Sequence, residues 1–446
     1  MAASLPDYVK SSVPNPLSNR APWYKNTFPA YAGVFLWVAF YLGLAGPTIS
    51  LASPGTCMIA LLVAGLLCFA LYYYAPGMLG MKTGRTLYIV GTSTFGTRGG
   101  YIMPGLLMGV LQIGWFAIAT YFATDYIMSG LHNSSKTLFT IIAIVWAYVL
   151  AWVAIKGIGY VARLAQFLNW VPLIMILIVF WANKGGISHY RPEHHDTMGG
   201  FLAVLAIVIG FFATAGAAGA DFCMSNRRRR DVVLGGLTGI VLAIVIAGGL
   251  PILAVAGHIG NTPGARNYDF AAAISASGGG IAPIMFFLFA AASMVPTCFC
   301  TFIASNSFAT MLPRVPRRLS TFVAVTIGML LAVSGVAQNL ITFFTIVGAS
   351  FGPICGAMAA DYLLADKNWS GPREGINWAG YIAWAVGFVV GILSYIPGVP
   401  ASWVKADRPA VLFSFIIGFV IYWLLSKAGL RPNVVPLESE PVGSAA

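Results

Sequence analysis

A glutamine and a tryptophan stand three residues apart in the apolar stretch GVLQIGWFAIATYF, at residues 109–122. In a helix this spacing places Gln112 and Trp115 on one face. A carboxamide in apolar surroundings is costly unless it is hydrogen-bonded, so Gln112 must pair with a neighbouring helix or with a ligand. The indole of Trp115 offers a flat surface on which a planar ring can stack. For Gln112 alone both alternatives stay open, whereas the pair of residues favours binding of a flat heterocycle.

A second stretch, FFATAGAAGADF at residues 211–222, is filled with Gly and Ala. We expect Phe212 and Thr214 to form the wall opposite Trp115, with unwound backbone free to pair with a polar ligand. The alternative interpretation is ordinary glycine-mediated packing between helices.

Small residues and proline interrupt two of the apolar spans. The first span contains Gly43, Gly46 and Pro47, and the sixth contains Gly210, Gly216 and Gly219. In lipid a broken helix is tolerated only where its free backbone groups face protein or a polar cavity. The two spans are five apart, as corresponding helices of two inverted five-helix repeats would be. Paired broken helices of this kind indicate the binding site of a transporter.

The composition places these residues in a membrane. Charged residues make up 9% of the chain and apolar residues 59%, against roughly 25% and 45–50% in soluble domains. Twelve apolar stretches approach the ~20 residues that a bilayer requires. They centre on 30–50, 56–80, 101–129, 137–156, 161–182, 200–222, 234–257, 281–311, 320–337, 340–364, 377–397 and 410–428. We therefore predict an all-α integral membrane protein with twelve transmembrane helices.

The predicted organisation has five parts along the chain. They are a tail at 1–27, spans one to five at 28–182, spans six to ten at 200–364, two further spans at 377–428 and a second tail at 429–446. Of the 25 Lys and Arg residues, 19 fall in the tails and loops of one side. By the positive-inside rule both termini are then cytoplasmic. The net charge of +12, including the run Arg227 to Arg230, orients helices and argues against nucleic-acid binding.

The sequence supports an enzyme, a channel or a metalloprotein less well. Ser350 lies in a G-x-S-x-G pattern at 348–352, but inside an apolar span without the strand-to-helix elbow that this nucleophile needs. A channel would require a ring of polar residues along a pore. One loop carries a cluster whose spacing matches no defined metal site: His189, Glu193, His194, His195 and Asp196. The six cysteines form no CxxC pair and are interpreted as small buried fillers. We predict neither an enzyme nor a resident cofactor or metal.

Three motifs carry a resemblance to a known family. LQIGWFAIA (111–119), IGFFATAGAAGADF (209–222) and FGPICGAMAADYLL (351–364) resemble signatures of the nucleobase–cation–symport-1 family, whose members include cytosine, purine, allantoin and hydantoin permeases. The loop TSTFGTRGGYIMPGLL (92–107) is similar to the family's loop between spans two and three. The resemblance runs in order from about residue 30 to 423. It implies two inverted five-helix repeats, the LeuT-type fold, followed by two more helices, with alternating access around a central site.

The resemblance also implies roles for particular residues. Trp115 becomes the stacking aromatic and Gln112 a hydrogen-bonding partner of the heterocycle. Phe212 becomes the second aromatic wall, with Thr214 and the backbone of Ala213 at the polar edge. The spacing of QIGWF is closest to that of cytosine permeases.

Span eight departs from the family pattern in AAASMVPTCFCTF (290–302). Ser293 stands where family members often carry an Asn that contacts substrate. Pro296 and Thr297 stand where sodium-coupled members carry two hydroxyl residues. A sodium site would then rely on Thr297 with the carbonyls of Trp37 and Phe40, and Pro296 also resembles the proton-driven fungal members. The coupling ion is therefore H⁺ or Na⁺, with protons slightly favoured, and the lack of Asn weakens cytosine itself as the substrate.

A proton-driven transporter needs a carboxylate that titrates within the membrane. The candidates are Asp125, Asp221 and Asp361, of which the last two are better interpreted as parts of ion pairs or gate latches. The expected partners are a small heterocycle and the lipid bilayer of the cell membrane, with a monomer as the functional unit. The substrate stays open among nucleobases, hydantoins, allantoin and vitamin precursors.

Overall fold

The structure is a computed structural model in which residues 5–155 and 168–437 are described. Within those ranges helices dominate, and the only strand-like contacts are two isolated bridges, Ala21 with Asn226 and Arg373 with Val434. Lys156 and Arg163, two of the residues used to predict orientation, lie outside the described residues, as does the predicted start of span five.

Twelve apolar helices follow the predicted spans, and we number them α1 to α12 in chain order. They occupy Thr27–Phe35 with Val38–Ile49, Pro54–Thr83, Gly99–Gly130, Lys136–Ile155, Trp170–His189, Thr197–Ala217, Arg229–Asn261, Ala282–Met311, Arg317–Val333, Leu340–Leu364, Trp378–Gly391 and Ala410–Lys427.

The number of membrane crossings is supported less fully than the positions of the helices. Of the described helices, nine are long and apolar enough to cross a bilayer, or ten if the bent pair of α1 counts as one. The helix α9 has 17 residues and α11 has 14, fewer than the ~20 that a perpendicular crossing needs. The protein is therefore a multi-pass, all-helical membrane protein, and the count of twelve crossings stays a prediction.

Helix starts follow local capping chemistry. The helix α2 begins with Pro54 in its first turn, where a missing N–H costs nothing, and the hydroxyl of Ser53 accepts the N–H of Thr56 at 3.2 Å. The helix α6 begins after Asp196, whose carboxylate accepts the N–H of Gly199 at 2.8 Å. These caps fix where α2 and α6 begin.

The helix α1 is interrupted twice: a turn at Gly43 and Leu44, as the sequence predicted, separates Val38–Leu42 from Ala45–Ile49, and a sharper break lies earlier. The helix is bent by 45° between Phe35 and Val38, and Trp37 at the break has an extended backbone, with φ −73° and ψ 132°. The predicted breaking residue Pro47 lies instead in the first turn of a short helix, Ala45–Ile49. Proline is tolerated there because the first N–H groups of a helix have no intrahelical partner.

The predicted gap in the middle of α6 is absent. The helix continues through Gly210 and Gly216 to Ala217, and Ala218 still donates its N–H to Thr214 at 2.9 Å. A short helix, Gly219–Cys223, follows at once, so the only interruption is at Ala218. The glycines serve close packing instead: a Cβ on Gly210 would lie 2.7 Å from the carbonyl oxygen of Phe344. The interruption at Ala218 lies between the predicted Gly216 and Gly219. The prediction of unwound backbone near Thr214 was wrong because close helix contact demands the same small residues as a break does.

The helices pack so that α3 and α6 meet at the centre. α3 packs against α8 and α9, α6 against α2 and α10, and α10 against α11 and α12. Both ends of the described chain lie at one face. The guanidinium of Arg20 donates to the carbonyl of Met81 at 2.6 Å, and the N–H of Val435 donates to the carbonyl of Pro372 at 2.8 Å. That this face is cytoplasmic stays a prediction from the charge distribution.

Asp407, in the loop between α11 and α12, gives a prediction about pH and stability. Burial raises the pKa of its carboxyl group from 3.8 to about 7, and Oδ1 has no partner within the described residues. The folded state therefore binds a proton that the unfolded state releases, so stability should fall as the pH rises from about 4 to about 7. We expect Asp407→Asn to flatten this dependence and to raise the melting temperature at about pH 8.

The exposed Glu374→Gln is the matched control, because it removes a solvated carboxylate of the same charge. Melting temperatures measured between about pH 5 and pH 8 test the prediction. Equal slopes for the native protein and Asp407→Asn would contradict it.

Candidate functional site

Trp115 is the centre of a buried group of aromatic rings. Its centroid lies 5.3 Å from that of Trp37, 5.1 Å from Phe211, 4.9 Å from Phe343 and 5.7 Å from Phe344. We call these five residues the aromatic cluster. They come from α1, α3, α6 and α10, so spans one and six, which were predicted to be interrupted, each contribute a ring. Such a cluster supplies faces and edges for a flat ligand.

A hydrogen bond joins α3 to α6 within this cluster. The indole Nε1 of Trp115 donates to Oγ1 of Thr214 at 3.2 Å, and both side chains are buried. The sequence therefore identified correctly two residues that meet. Because the bond fixes the rotation of the indole, its faces are oriented by the protein before any ligand binds.

The structure puts Phe211 in the position that the sequence assigned to Phe212. Phe211 contacts Trp115, Trp37 and Phe344, whereas Phe212 stacks on Phe35 at 5.6 Å and contacts Tyr31 at 5.7 Å. Adjacent residues of a helix point about 100° apart, so only one of the two can face α3. Ala213, the next residue, is fully buried in the packed interior of α6.

Gln112 lies on α3 but faces a different neighbour from the one expected. Its amide donates only to the thioether of Met108, at 3.6 Å, which is a weak acceptor. Its side chain lines a cavity of about 10 Å³ with Thr301 of α8 and Thr321 of α9. This space holds at most one water molecule, so binding of a heterocycle here requires the side chains to rearrange.

Several buried donors on α1 and α3 lack partners among the described residues, and the sequence analysis missed them. The indole Nε1 of Trp37 is one of them. The full set within the described parts of α1 and α3 is Trp37 Nε1 and the hydroxyls of Tyr41, Thr120, Thr124 and Tyr126. Buried polar groups are nearly always hydrogen-bonded, so such a concentration indicates a place where a polar partner binds. Hydroxyl and indole residues within apolar spans were the signal in the sequence.

Two residues of α8 have predicted roles, Ser293 as a substrate contact and Thr297 as a cation ligand, and both lie at or just after an interruption of that helix. Ser293 joins the segments Ala282–Ala292 and Met294–Met311 and donates to the carbonyl of Phe289 at 3.1 Å. The hydroxyl of Thr297 donates to the carbonyl of Ser293 at 2.6 Å, so its oxygen remains free to accept. In α1 the carbonyl of Trp37 accepts the N–H of Phe40 at 3.0 Å, which closes a turn at the break.

The three carboxylates of interest differ in their surroundings. Oδ1 of Asp361 accepts the hydroxyl of Tyr422 at 2.8 Å and lies 3.8 Å from Arg373 and 3.9 Å from Arg431. Asp221 accepts the N–H of Leu87 at 3.4 Å and forms no ion pair with any described residue. Asp125 lines a large open cavity that is described below. The ion-pair interpretation therefore fits Asp361 and fails for Asp221.

The features considered for other classes of protein have structural roles. Ser350 is buried within α10, and its carbonyl accepts the indole N–H of Trp384 at 3.0 Å. In the histidine-rich loop, Glu193 pairs with Arg266 at 3.3 Å. Within the described residues no three His, Cys, Asp or Glu side chains are grouped to hold a metal. The six cysteines are free and buried, as the sequence predicted.

Solved structures identify the class of fold. A nucleobase–cation–symport-1 family transporter, in a closed conformation with bromovinylhydantoin bound, superposes with a TM-score of 0.71 at 18% identity, over 96% of each chain. A Na⁺-coupled sialic acid symporter in an outward-open state gives 0.64 at 13% identity, over 97% of this chain and 93% of that one. The chain thus has the fold of these membrane transporters.

Sequence comparison then identifies the family. Residues 13–418 match the family described as permeases for cytosine/purines, uracil, thiamine and allantoin. The cytosine permease of Escherichia coli (strain K12) is 24% identical over 402 residues, which cover 83% of this chain and 88% of that protein. The chain belongs to this permease family, and it is a transporter, not an enzyme.

Proposed function

We propose that the protein is a symporter that imports a nucleobase or a related planar nitrogen heterocycle by alternating access, driven by H⁺ or Na⁺. It acts in the cell membrane with both termini in the cytoplasm and with the monomer as the functional unit. The family supports transport of this class of compound, and the buried aromatic cluster supports a flat ligand.

One observation carries the proposal: Trp115 is held by Thr214 among four other aromatic rings, next to an unpartnered indole N–H on Trp37. A heterocycle stacked on Trp115 gains aromatic contact, and its edge can accept from Trp37 Nε1. Gln112, one turn away on α3, can turn from its weak contact with Met108 to the same ligand. Ser293 on α8 is the further proposed contact.

The route to this cluster starts at the open cavity on the face predicted to be outer. Gly43 and Leu340 line that cavity, and a Cβ on Gly43 would lie 3.1 Å from the ring of Phe344, a member of the cluster. A single layer of side chains therefore separates the cavity from the candidate site. Rotation of Leu340 and Phe344 would connect the two, as an alternating-access cycle requires.

The alternative substrates are hydantoins, allantoin and vitamin precursors. A thermal-shift screen of the purified protein against these compounds and the nucleobases, with and without sodium, distinguishes them. A ligand at 100 times its Kd should stabilise the folded state by about 2.7 kcal/mol. Absence of any shift across the whole set would contradict the proposed class of substrate.

The coupling ion gives a separate prediction. Uptake into proteoliposomes is expected to persist when sodium is replaced by N-methylglucamine and to fall when a protonophore collapses the proton gradient. The reason is that Pro296 has no side-chain oxygen, so Thr297 would be left to complete a sodium site largely with carbonyls.

Thr297→Val is the matched variant, because it removes the hydroxyl while keeping the shape of the side chain. Uptake by this variant should be unchanged under proton drive. Sodium-dependent uptake that Thr297→Val abolishes would instead establish a sodium site at α1 and α8.

A further inference from the structure

An open cavity lies away from the aromatic cluster, at the face predicted to be outer. Its volume is about 530 Å³, within the usual range of small-molecule sites. Parts of α1, α3 and α10 and the loop before α8 form its walls, and we call it the outer vestibule. Exposed residues at its rim, such as Asn267 and Gln338, leave it open to the surface.

The charge of the outer vestibule is opposite to that of the protein. Its lining includes the carboxylates of Asp125 and Asp269 and contains no Lys, Arg or His, although the chain has a net charge of +12. Asp125 forms no hydrogen bond or ion pair with any described residue. Arg266, beside the cavity in sequence, pairs with Glu193 at 3.3 Å. Low-dielectric walls around two carboxylates concentrate cations inside such a cleft.

A buried hydroxyl in the wall also lacks a partner. Tyr126 lines the outer vestibule and is 1% exposed, and its hydroxyl has no hydrogen bond within the described residues. Asp125 and Asp269 line the same cavity. Because buried hydroxyls are nearly always paired, this one indicates a polar ligand on the side where the carboxylates lie.

The remaining lining residues indicate the chemistry of that ligand. Phe122, Tyr126 and Tyr268 bring aromatic rings to the same cavity. Aromatic faces combined with carboxylates attract organic cations, whereas a bare metal ion prefers a cage of several oxygens. We propose that the outer vestibule is a binding site for a positively charged nitrogen heterocycle, separate from the site at Trp115.

The proposal goes beyond transport of a neutral nucleobase. A cation held by Asp125 and Asp269 lies one side-chain layer above the aromatic cluster, at Gly43 and Leu340. The outer vestibule thereby selects and concentrates positively charged heterocycles before they reach the central site, and neutral heterocycles gain nothing from it.

The electrostatic part is tested with an engineered thiol. Gln338→Cys places a cysteine at the exposed rim, and the six native cysteines are buried and therefore react slowly. A cationic thiosulfonate should modify it about tenfold or more faster than an anionic one, after correction for their rates with a free thiol. The ratio should fall several-fold in the added variants Asp125→Asn and Asp269→Asn. Asn also caps helices, so Asp269→Asn keeps the bond from the N–H of Ala271.

The ligand part uses a pair of probes that differ in one N-methyl group and in the positive charge that it fixes. We expect 1-methylnicotinamide, a cation, to protect the thiol, and neutral nicotinamide not to protect it, with protection lost in Asp125→Asn. An unchanged rate ratio in both folded, monodisperse Asn variants would overturn the proposal. Equal protection of the thiol by both probes would also overturn it. So would protection by sodium, compared with N-methylglucamine, if 1-methylnicotinamide gave none. If these tests fail and the protein still takes up a heterocycle, the proposed transport function remains supported and only the vestibule site is rejected.

Discussion

Trp115→Ala is expected to weaken binding of the transported heterocycle by about 5- to 150-fold. Stacking of a base on an aromatic side chain contributes about 1–3 kcal/mol, and 1.4 kcal/mol is a factor of ten in Kd. Trp115 touches four other rings of the aromatic cluster and is fixed by Thr214, so no neighbouring ring can take its place without moving. Radioligand binding or thermal shift, with the strongest ligand of the substrate screen, measures the effect.

Three further variants separate the parts of this effect. Trp115→Phe keeps a ring but loses the bond to Thr214, so its loss of affinity should be smaller. Gln112→Ala should lower affinity by the value of one hydrogen bond, about 0.5–1.5 kcal/mol. Trp384→Ala, which removes a half-buried tryptophan of α11 that stacks on Phe388, is the matched control and should leave affinity unchanged. Full affinity in folded Trp115→Ala would mean that the site lies elsewhere.

The neighbouring phenylalanines of α6 provide an internal comparison. Phe211→Ala should weaken binding more than Phe212→Ala, because Phe211 contacts Trp115 while Phe212 packs on Tyr31 and Phe35. The family resemblance predicts the opposite order. The ratio of the two Kd values therefore distinguishes the arrangement in this structure from the one that the motif implies.

The positions of the helices could be predicted from the sequence because a lipid-facing segment needs only length and apolar composition. The sharp bend in α1 could not. Gly43 marks a turn that does interrupt the helix, yet the 45° bend is at Leu36 and Trp37, which carry no such signal. Packing of the Trp37 indole against Trp115 and Phe211 is a tertiary contact that local composition does not reveal.

The candidate site was predictable in part for a related reason. The motif around Trp115 correctly indicated contact with α6, as the bond to Thr214 shows, whereas Gln112, three residues earlier, faces α8 and α9. Which of Phe211 and Phe212 faces inward depends on the rotation of α6 about its own axis. This rotation is set by tertiary contacts such as that of Gly210 with the carbonyl of Phe344. A sequence motif carries no information about such contacts.

Asp361→Ala is expected to lower the free energy of unfolding by about 3–5 kcal/mol, because it leaves a buried guanidinium without its counter-charge. Arg373 is 7% exposed, and it also donates to the carbonyl of Ser93 at 3.0 Å and to that of Pro432 at 2.9 Å. The cluster of Asp361, Arg373 and Tyr422 therefore ties α10 and α12 to the loop before α3 and to the C-terminal segment. Thermal unfolding in detergent, or retention on gel filtration after heating, measures the loss.

Two comparisons show whether the buried charge is the cause. Arg431→Met removes the second cation, whose side chain is 26% exposed, so its cost should be that of a surface pair, about 0–1 kcal/mol. The double variant Asp361→Leu with Arg373→Met removes both buried charges, and it should be more stable than Asp361→Ala. If Asp361→Ala has the same melting temperature as the native protein, the ion pair contributes no stability. The carboxylate would then be free to change partners between transport states, as a gate latch does.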